Sequence, residues 1–134
     1  METDLILSEI NELHQKANHA IETKDVTAYT AMFDDTLSFT PFEKSAINKR
    51  DFSIDLKKYF SSAKTIQTSH YRIKSSVEHD IFTEKIARKS VILKPNLLIF
   101  SKKQTIQTEE IYHWKNIKGE WKVIALEIVL EEKY

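Results

Sequence analysis

The sequence contains no cysteine and a single glycine, and these two absences exclude several classes of site. Without cysteine there is no disulfide framework, no thiolate nucleophile and no cysteine-based zinc or iron–sulfur site. A phosphate-binding loop, a dinucleotide fingerprint and a nucleophile elbow each require several glycines, because the backbone must turn tightly or approach a ligand closely. Gly119 alone cannot supply any of them, and we expect no cofactor.

An excess of charge of one sign and long apolar runs are also missing. Lys+Arg and Asp+Glu both number 20, whereas nucleic-acid-binding proteins usually carry a basic excess. No apolar stretch approaches the roughly 20 residues that span a bilayer, and the first ten residues, METDLILSEI, show no cleavable signal pattern. We therefore expect a single cytoplasmic domain over residues 1–134 that binds neither nucleic acid nor membranes.

The first half of the sequence contains helical patterns instead. Apolar residues recur every three or four positions over 3–22, which predicts a long amphipathic helix. Asp25 is a good N-cap for a shorter helix over 26–33, and a third apolar stripe predicts a helix over 48–60. A short strand over 37–42 separates the second helix from the third.

From residue 64 onward the apolar period changes to two, which is typical of strands. The predicted strands cover 65–77, 81–93, 104–115 and 121–130. The segment 97–100 is either a continuation of the second of these strands or a short apolar flap. A tight turn over 116–120, which contains Gly119, joins the last two strands.

The last strand is apolar on both of its faces. One face carries Ile124, Leu126, Ile128 and Leu130, and the other carries Trp121, Val123, Ala125 and Val129. An antiparallel strand with one wet face should alternate apolar and polar residues. The helices cover one face, and a second copy of the chain is the simplest cover for the other, so we expect a homodimer through the outer face of the sheet.

The order of these elements is that of the nuclear-transport-factor-2-like (cystatin-like α+β) superfamily, and two segments resemble its members. Residues 25–35, DVTAYTAMFDD, look like the second helix and first strand of the family, and residues 119–125, GEWKVIA, are similar to its closing hairpin. The SnoaL-like and ketosteroid-isomerase-like bacterial branch looks closest. The resemblance implies an α+β fold in which three N-terminal helices pack in a strongly bent antiparallel sheet. It also implies a cone-shaped pocket and, frequently, a dimer.

For isomerases of this type, the resemblance implies a base just after the second helix and a neutral acid on the third strand of the meander. The first position offers Asp34 and Asp35, which we interpret as a turn in water. The second offers Glu109 and Glu110, of which strand alternation sends one inward and one outward. Neither glutamate is flanked by a purely apolar stretch.

The histidines do not form a metal site by their spacing. His14 and His19 are five residues apart, which is not the spacing that places two ligands on one helix face, and both are expected on the exposed side of the first helix. His70 and His113 lie on strands with one strand between them, so they are on the order of 10 Å apart. That is too far to share a metal or a proton, although a ligand can lie between them.

The pocket candidates are aromatic, histidine and acidic side chains of the predicted sheet and helices. They are Tyr29, Phe33, Tyr59, His70, Tyr112, His113, Trp114 and Glu127. Tyrosine hydroxyls can orient a ligand in a mainly apolar pocket. Glu127, the only charge on its face of the last predicted strand, requires a partner such as Arg72 or Arg88 if it is buried.

These patterns predict a protein that binds a small apolar or amphipathic ligand in an aromatic-lined pocket, with no evident catalytic constellation. One alternative is a cofactor-independent isomerase, cyclase or dehydratase that uses Asp35, His70, His113 or Glu127 as a pocket acid or base. The other is a protein-interaction module that uses the sheet face or the rim of the pocket. The residues that would carry a reaction remain unknown from the sequence.

Overall fold

The computed structural model describes residues 2–95 and 101–134, and this part of the chain forms three helices and six strands. The helices are α1 (Glu2–Glu22), α2 (Val26–Thr30) and α3 (Lys49–Ser62). The strands are β1 (Phe33–Thr40), β2 (Ile47–Asn48), β3 (Thr65–Glu78), β4 (Ile81–Pro95), β5 (Ser101–Ile117) and β6 (Glu120–Lys133). The segment 97–100, predicted as a continuation of the strand or a short flap, lies outside these described residues. Within them, no helix is both long enough and apolar enough to cross a membrane.

The predicted order of elements and the α+β fold class are confirmed. The six strands form one curved, unclosed sheet in the order β2-β1-β6-β5-β4-β3. β1 and β6 pair in parallel, whereas the other neighbouring pairs are antiparallel. The first and last strands therefore lie side by side, and the meander from β3 to β6 forms one long wall of the fold.

The second helix is shorter than its pattern predicts, because the residues that follow it pair with the last strand. Phe33 pairs with Val123 of β6, and the backbone N–H of Val123 donates to the carbonyl of Met32 at 2.9 Å. The helix accordingly ends at Thr30. The predicted cap at its start is confirmed, since the Asp25 side chain accepts from the backbone N–H of Ala28 at 3.0 Å.

The turn between β5 and β6 explains where the single glycine is required. Lys118 and Gly119 both have positive φ angles, 53° and 86°. Two successive left-handed residues form the two-residue turn whose twist matches that of a hairpin, and glycine adopts this conformation without strain. The Asn116 side chain reinforces the turn by accepting from the N–H of Gly119 at 3.0 Å.

Two irregularities in β6 account for part of its apolar pattern. The register between β5 and β6 shifts between Glu109 and Glu110 and again between His113 and Trp114. Because of the second shift, Val123 and Leu126 face the same side of the sheet. They pair across the strands with Trp114 and Tyr112, and both are buried. The alternation predicted for 121–130 as one regular strand is therefore wrong in this detail, since bulges change which residues share a face.

The sheet has an inner face, which packs against the helices, and an outer face. The inner face of β4 carries the buried side chains of Phe82, Glu84, Ile86, Arg88, Ser90 and Ile92. An edge-to-face group of aromatic rings fills the space beneath α2 and α3, with Phe33 and Phe52 at 5.1 Å between ring centroids. The polar side chains of the inner face are the ones that shape the site.

Candidate ligand-binding site

Two charged side chains interrupt the apolar inner face of β4. Glu84 is 1% exposed and Arg88 is 8% exposed, and they are separated by Ile86, which is fully buried. A charge that is removed from water must be paired and hydrogen-bonded, since its desolvation otherwise costs far more than folding can supply. Each of the two residues accordingly forms the centre of a buried polar cluster.

The Glu84 cluster consists of Glu84, His14, Arg72 and Trp114. Oε2 of Glu84 accepts from Nε2 of His14 at 2.7 Å and from Nε1 of Trp114 at 2.6 Å. Its other oxygen, Oε1, accepts from Nε of Arg72 at 2.9 Å. Both carboxylate oxygens are therefore satisfied, and Arg72 extends further to donate to the Asn11 side chain at 2.8 Å.

The Arg88 cluster consists of Arg88, Glu110, Tyr112, Thr108 and Asn18. Nε of Arg88 donates to Oε1 of Glu110 at 3.3 Å, and Nη1 donates to Oδ1 of Asn18 at 2.8 Å. Glu110 also accepts from the hydroxyls of Tyr112 at 2.8 Å and Thr108 at 2.7 Å. The cluster joins α1 to the middle of β4 and β5.

The buried carboxyl groups of the two clusters are held ionised. Burial raises the pKa of Glu110, but the Arg88 guanidinium and the hydrogen bonds from Thr108 and Tyr112 outweigh burial and keep the pKa below its usual value. Burial likewise raises the pKa of Glu84, and the hydrogen bonds and charges of its partners again lower it overall. Each cluster thus holds a carboxylate against an arginine.

The Arg88 cluster borders a cavity of about 300 Å³ that opens between α2, α3 and the inner face of the sheet. The walls of this cavity are mainly apolar. They are formed by Ile21, Phe39, Leu56, Phe60, Ile106 and Ile128. A mainly apolar cavity with a few convergent polar groups is the usual form of a small-molecule site.

Two tyrosines and one arginine are among the polar residues of this cavity. Tyr29 and Tyr59 line it, and burial raises the pKa of each to about 12, so both keep their hydroxyl protons at neutral pH. Arg88 lines it as well, and Nη2 of Arg88 has no hydrogen-bond partner. In residues 2–95 and 101–134, this is the one buried side-chain nitrogen or oxygen in that condition.

The charged side chains of the cavity are balanced. Arg88 is paired with Glu110 at its floor, and Lys133 is paired with Glu131 at 3.3 Å near its exposed side. Positive and negative groups are therefore equal in number among the described lining residues.

His70 lies between the two clusters. Its Nδ1 accepts from Nδ2 of Asn18 at 3.0 Å, and its ring centroid is 4.7 Å from that of His14. Burial lowers the pKa of His70 to about 4, and the charges of His14 and Arg88 add to this effect. The imidazole is consequently neutral near pH 7, with its proton on Nε2 because Nδ1 accepts.

A second, larger space lies outside the sheet's inner face. It is an open groove of about 920 Å³ between α1, α2 and the β5–β6 turn. Charged surface residues such as Glu12 and Lys16 line it, and Trp121 contributes an indole N–H that donates to Glu9 at 2.8 Å. The groove contains neither buried ion pair, so we place the candidate site in the smaller cavity.

The structure brings several of the predicted pocket residues together at or near the inner face. Tyr29 and Tyr59 line the cavity, Tyr112 belongs to the Arg88 cluster and Trp114 to the Glu84 cluster. Phe33 is buried in the neighbouring aromatic group, with its ring 5.1 Å from that of Tyr29.

Two other predicted residues lie on the outer face. His113 is paired with Thr83, to which it is hydrogen-bonded at 3.1 Å, and Glu127 is exposed opposite Ile111. His70 and His113 therefore lie on opposite faces of the sheet. The expected partners of a buried Glu127, Arg72 and Arg88, are instead paired with inner-face carboxylates.

The expectation that His14 lies on the exposed side of α1 is wrong. Its side chain is 2% exposed, because the hydrogen bond to Glu84 compensates the imidazole for lost water. Asn11, His14 and Asn18 form a polar stripe at spacings of three and four residues, and each contacts a cluster. Polar residues at these spacings lie on one face of a helix, just as apolar residues at the same spacings do.

Glu84 was not predicted from the sequence and Arg88 was predicted only as a possible partner of Glu127, although the pattern of β4 carries a signal for both. Between Phe82 and Ile92, every second residue is buried, and these two charged residues are in phase with the apolar ones. A charge in phase with the buried face of a strand requires a partner from another element. That reasoning would have identified both clusters without naming the partners.

Comparison with known proteins identifies the fold. No protein-family model matches the sequence, and no curated protein is similar to it in sequence. Solved structures are similar in shape, among them a conserved protein from Planctomyces limnophilus DSM 3776, with a TM-score of 0.85, 10% identity and 100% of both chains covered.

Two further neighbours carry a family name or an activity in their descriptions. A nuclear transport factor 2 (NTF2-like) superfamily protein from Salmonella enterica serovar Typhimurium LT2 has a TM-score of 0.80, 12% identity, and 94% and 91% of the two chains covered. A hexachlorocyclohexane dehydrochlorinase has a TM-score of 0.77, 10% identity, and coverages of 100% and 93%. The predicted nuclear-transport-factor-2-like, cystatin-like fold is thereby confirmed.

Proposed function

We propose that this protein binds a small, mainly apolar molecule in the cavity between α2, α3 and the inner face of the sheet. The observation that carries the proposal is the cavity itself, with apolar walls and a buried arginine–glutamate pair at its floor. Its volume of about 300 Å³ lies at the lower end of the range for ligand sites.

Binding is favoured over acid–base catalysis because the charged groups of the cavity are already paired. Glu110 accepts from Arg88, Tyr112 and Thr108, which leaves it little freedom to exchange a proton. Tyr29 and Tyr59 have pKa values raised to about 12, so they donate hydrogen bonds but do not ionise near neutrality. These groups orient a ligand rather than transform it.

Native mass spectrometry of freshly purified protein tests this proposal, with one variant that fills the cavity and one that does not. Leu56→Trp places an indole into the cavity, whereas Lys57→Trp places the same group on the exposed side of α3. We expect a co-purified small molecule on the wild type and on Lys57→Trp but not on Leu56→Trp. Equal loading of both variants, or loading lost only from Lys57→Trp, would contradict the proposed site.

A second candidate function is a cofactor-independent isomerase, cyclase or dehydratase that uses His70. Among the four acid–base candidates from the sequence, His70 is half-buried on the inner face with its pKa lowered to about 4, whereas Asp35 is exposed. Asn18 joins His70 to Arg88. One structural neighbour is a dehydrochlorinase, which also supports this alternative.

Exchange of the methyl protons of acetophenone in deuterated water tests the second candidate. If Nδ1 of His70, the unprotonated nitrogen, exchanges its hydrogen bond from Asn18 for a proton next to a carbonyl group, the wild type accelerates exchange and His70→Gln does not. Exchange that is no faster than in buffer, or equally fast in the variant, rules out this role.

We also propose that the chain forms a homodimer through the outer face of the sheet. Tyr71, Ala87, Glu109 and Leu130 form one row across four strands of this face, and the side chains of Tyr71 and Leu130 are 67% and 37% exposed. The exposed apolar side chains of Tyr71 and Leu130, at the two ends of this row, are a favourable contact surface for a second copy. Sedimentation velocity should show a dimer that Leu130→Lys dissociates and that Ile54→Lys, a matched change on exposed α3, leaves intact.

A further inference from the structure

The middle of the outer face separates its charges by sign from one side of the sheet to the other. Strands β3, β4, β5 and β6 lie side by side, so rows of outer-face side chains cross all four. In the row next to that of Tyr71, the residues from β3 to β6 are Lys74, Lys85, Ile111 and Glu127. The positive charges lie on β3 and β4, and the negative charge lies on β6.

A second row shows the same separation. From β3 to β6 its residues are Ser69, Lys89, Gln107 and Glu132. In the row between these two, the only charge is that of Glu109 on β5. The middle of the outer face therefore has a positive half on β3 and β4 and a negative half on β5 and β6.

Lys74 and Glu127 are the charges at the two ends of their row, and they are not paired within the chain. Lys85 reaches Glu109 at 3.0 Å, whereas Lys74 and Glu127 take part in no ion pair within residues 2–95 and 101–134. Three strand spacings separate them, or about 14 Å, so they cannot pair with each other. Both line one shallow depression of about 440 Å³ on the outer face, together with Ile111.

The symmetry of a dimer determines which charges meet. Two identical sheets that pack face to face in the aligned way are related by a twofold axis between them. If this axis runs along the strands, between β4 and β5, β3 of each copy lies opposite β6 of the other. If it runs across the strands, β3 lies opposite β3 and each sign faces itself, which costs affinity. Of the two aligned arrangements, only the first brings unlike charges together.

The apolar side chains of the neighbouring row agree with the first arrangement. Tyr71 on β3 and Leu130 on β6 are 67% and 37% exposed and lie at opposite ends of that row. An axis along the strands places Tyr71 of each copy over Leu130 of the other. Each ion pair between copies would then lie beside an apolar contact, which is a favourable combination for a specific interface.

We infer that two copies pack their outer faces about a twofold axis parallel to the strands, with Lys74 of each copy paired with Glu127 of the other and Tyr71 packed over Leu130. The inference rests on the proposed homodimer. It adds the orientation of the second copy and the charge pair that selects this orientation.

Charge reversal tests the inference. Lys74→Glu or Glu127→Lys alone replaces both symmetry-related ion pairs with like-charge contacts, so sedimentation equilibrium should show a dissociation constant at least about tenfold higher than that of the wild type. An equimolar mixture of the two variants should form a heterodimer of nearly wild-type affinity, because one chain then carries both negative charges and the other both positive charges. The double variant should also regain the wild-type affinity.

A control pair and the salt dependence sharpen the test. Lys57→Glu and Asp55→Lys reverse charges on the exposed side of α3 and should leave the dissociation constant unchanged, alone or mixed. Added sodium chloride should weaken the wild-type dimer, because it screens attraction, and should strengthen the association of either single variant of the outer face, because it screens repulsion. The wild-type salt dependence stands independently if a variant fails to fold, and a dimer that salt does not weaken would overturn the inference.

The outcomes separate this inference from the proposed homodimer. If the wild type dimerises and both Lys74→Glu and Glu127→Lys keep its dissociation constant, the faces meet in another orientation, and only the inference is overturned. It is also overturned if the single variants dissociate but their mixture does not associate. A wild type that remains monomeric at every concentration contradicts both the inference and the homodimer.

Discussion

The Glu84 and Arg88 clusters contain the same kinds of groups but differ in what they leave unsatisfied. Each pairs a buried glutamate with an arginine on the inner face, and each receives an aromatic donor and a side chain from α1. In the Glu84 cluster the arginine lies toward solvent, with a side chain that is 21% exposed. In the Arg88 cluster the arginine is buried, borders the cavity and keeps Nη2 free in the described structure.

The difference shows that a buried ion pair does not by itself identify a site. The Glu84 cluster ties α1 to the sheet, and its carboxylate oxygens are occupied by donors from three elements. The Arg88 cluster also ties α1 to the sheet, through Asn18, but its arginine in addition lines an apolar cavity. The two clusters therefore differ in how far solvent reaches the arginine and not in the charges that they pair.

The largest expected effect is that of Glu110→Gln on stability. The variant leaves the Arg88 guanidinium buried without a counter-charge, which costs on the order of 3–5 kcal/mol of the free energy of unfolding. Glu84→Gln should cost less, because water reaches Arg72. Urea unfolding of both variants measures the difference in the free energy of unfolding. An equal or larger loss for Glu84→Gln would show that hydrogen-bond geometry, and not a buried charge without a partner, determines the loss.

Removal of the aromatic donors should give the next largest effect. Trp114→Phe loses the indole N–H donated to Glu84 and leaves a void at a fully buried position, which should cost about 3 kcal/mol. Tyr112→Phe loses only the hydroxyl donated to Glu110 and should cost about 1.5 kcal/mol. Thermal and urea denaturation of the pair test this order, and a reversed order would mean that the Arg88 cluster is the stronger of the two.

The pH dependence of stability should separate His70 from the two carboxylates. Since the pKa of His70 falls from 6.5 to about 4 on folding, the unfolded chain binds the proton more readily. The contribution of His70 to the free energy of unfolding is therefore fully present above about pH 6.5. It is lost as the pH falls from there to about 4. Glu84 and Glu110, whose pKa values are lowered from 4.5, add a loss that begins only near that pH and continues below it.

The test of this window is His70→Gln. Urea midpoints between about pH 6.5 and pH 4.5 should decline in the wild type and stay flatter in the variant. A decline of the same steepness in both proteins would assign the window to other groups.

The smallest effect is expected from the ion pair of the outer face. Glu109 and Lys85 are 3.0 Å apart but partly exposed, so Glu109→Gln should change the free energy of unfolding by less than about 1 kcal/mol. This pair provides the background against which the buried clusters are compared. If the loss is larger and grows with protein concentration, the pair lies within the proposed dimer contact.

The sequence predicted the elements of this fold well because their signals are local. The apolar period of α1, the Asp25 cap and the glycine-containing turn each depend on residues within a few positions of one another. The residues of the candidate site were predicted less completely. Tyr29 and Tyr59 were among the candidates that line the cavity, whereas Glu110 was only one of two possible acids and Arg88 only a possible partner of Glu127.

The sequence by itself thus determined the order of helices and strands, the fold class and the exclusion of loop-based nucleotide sites. Only the tertiary structure decided which polar side chains meet. His14 and Glu84, like Asn18 and Arg88, are 70 residues apart in the chain. Their contacts depend on how α1 lies across the sheet and on the bulges that set the register of β6. Register and packing are cooperative properties of the whole fold, so no local pattern specifies them.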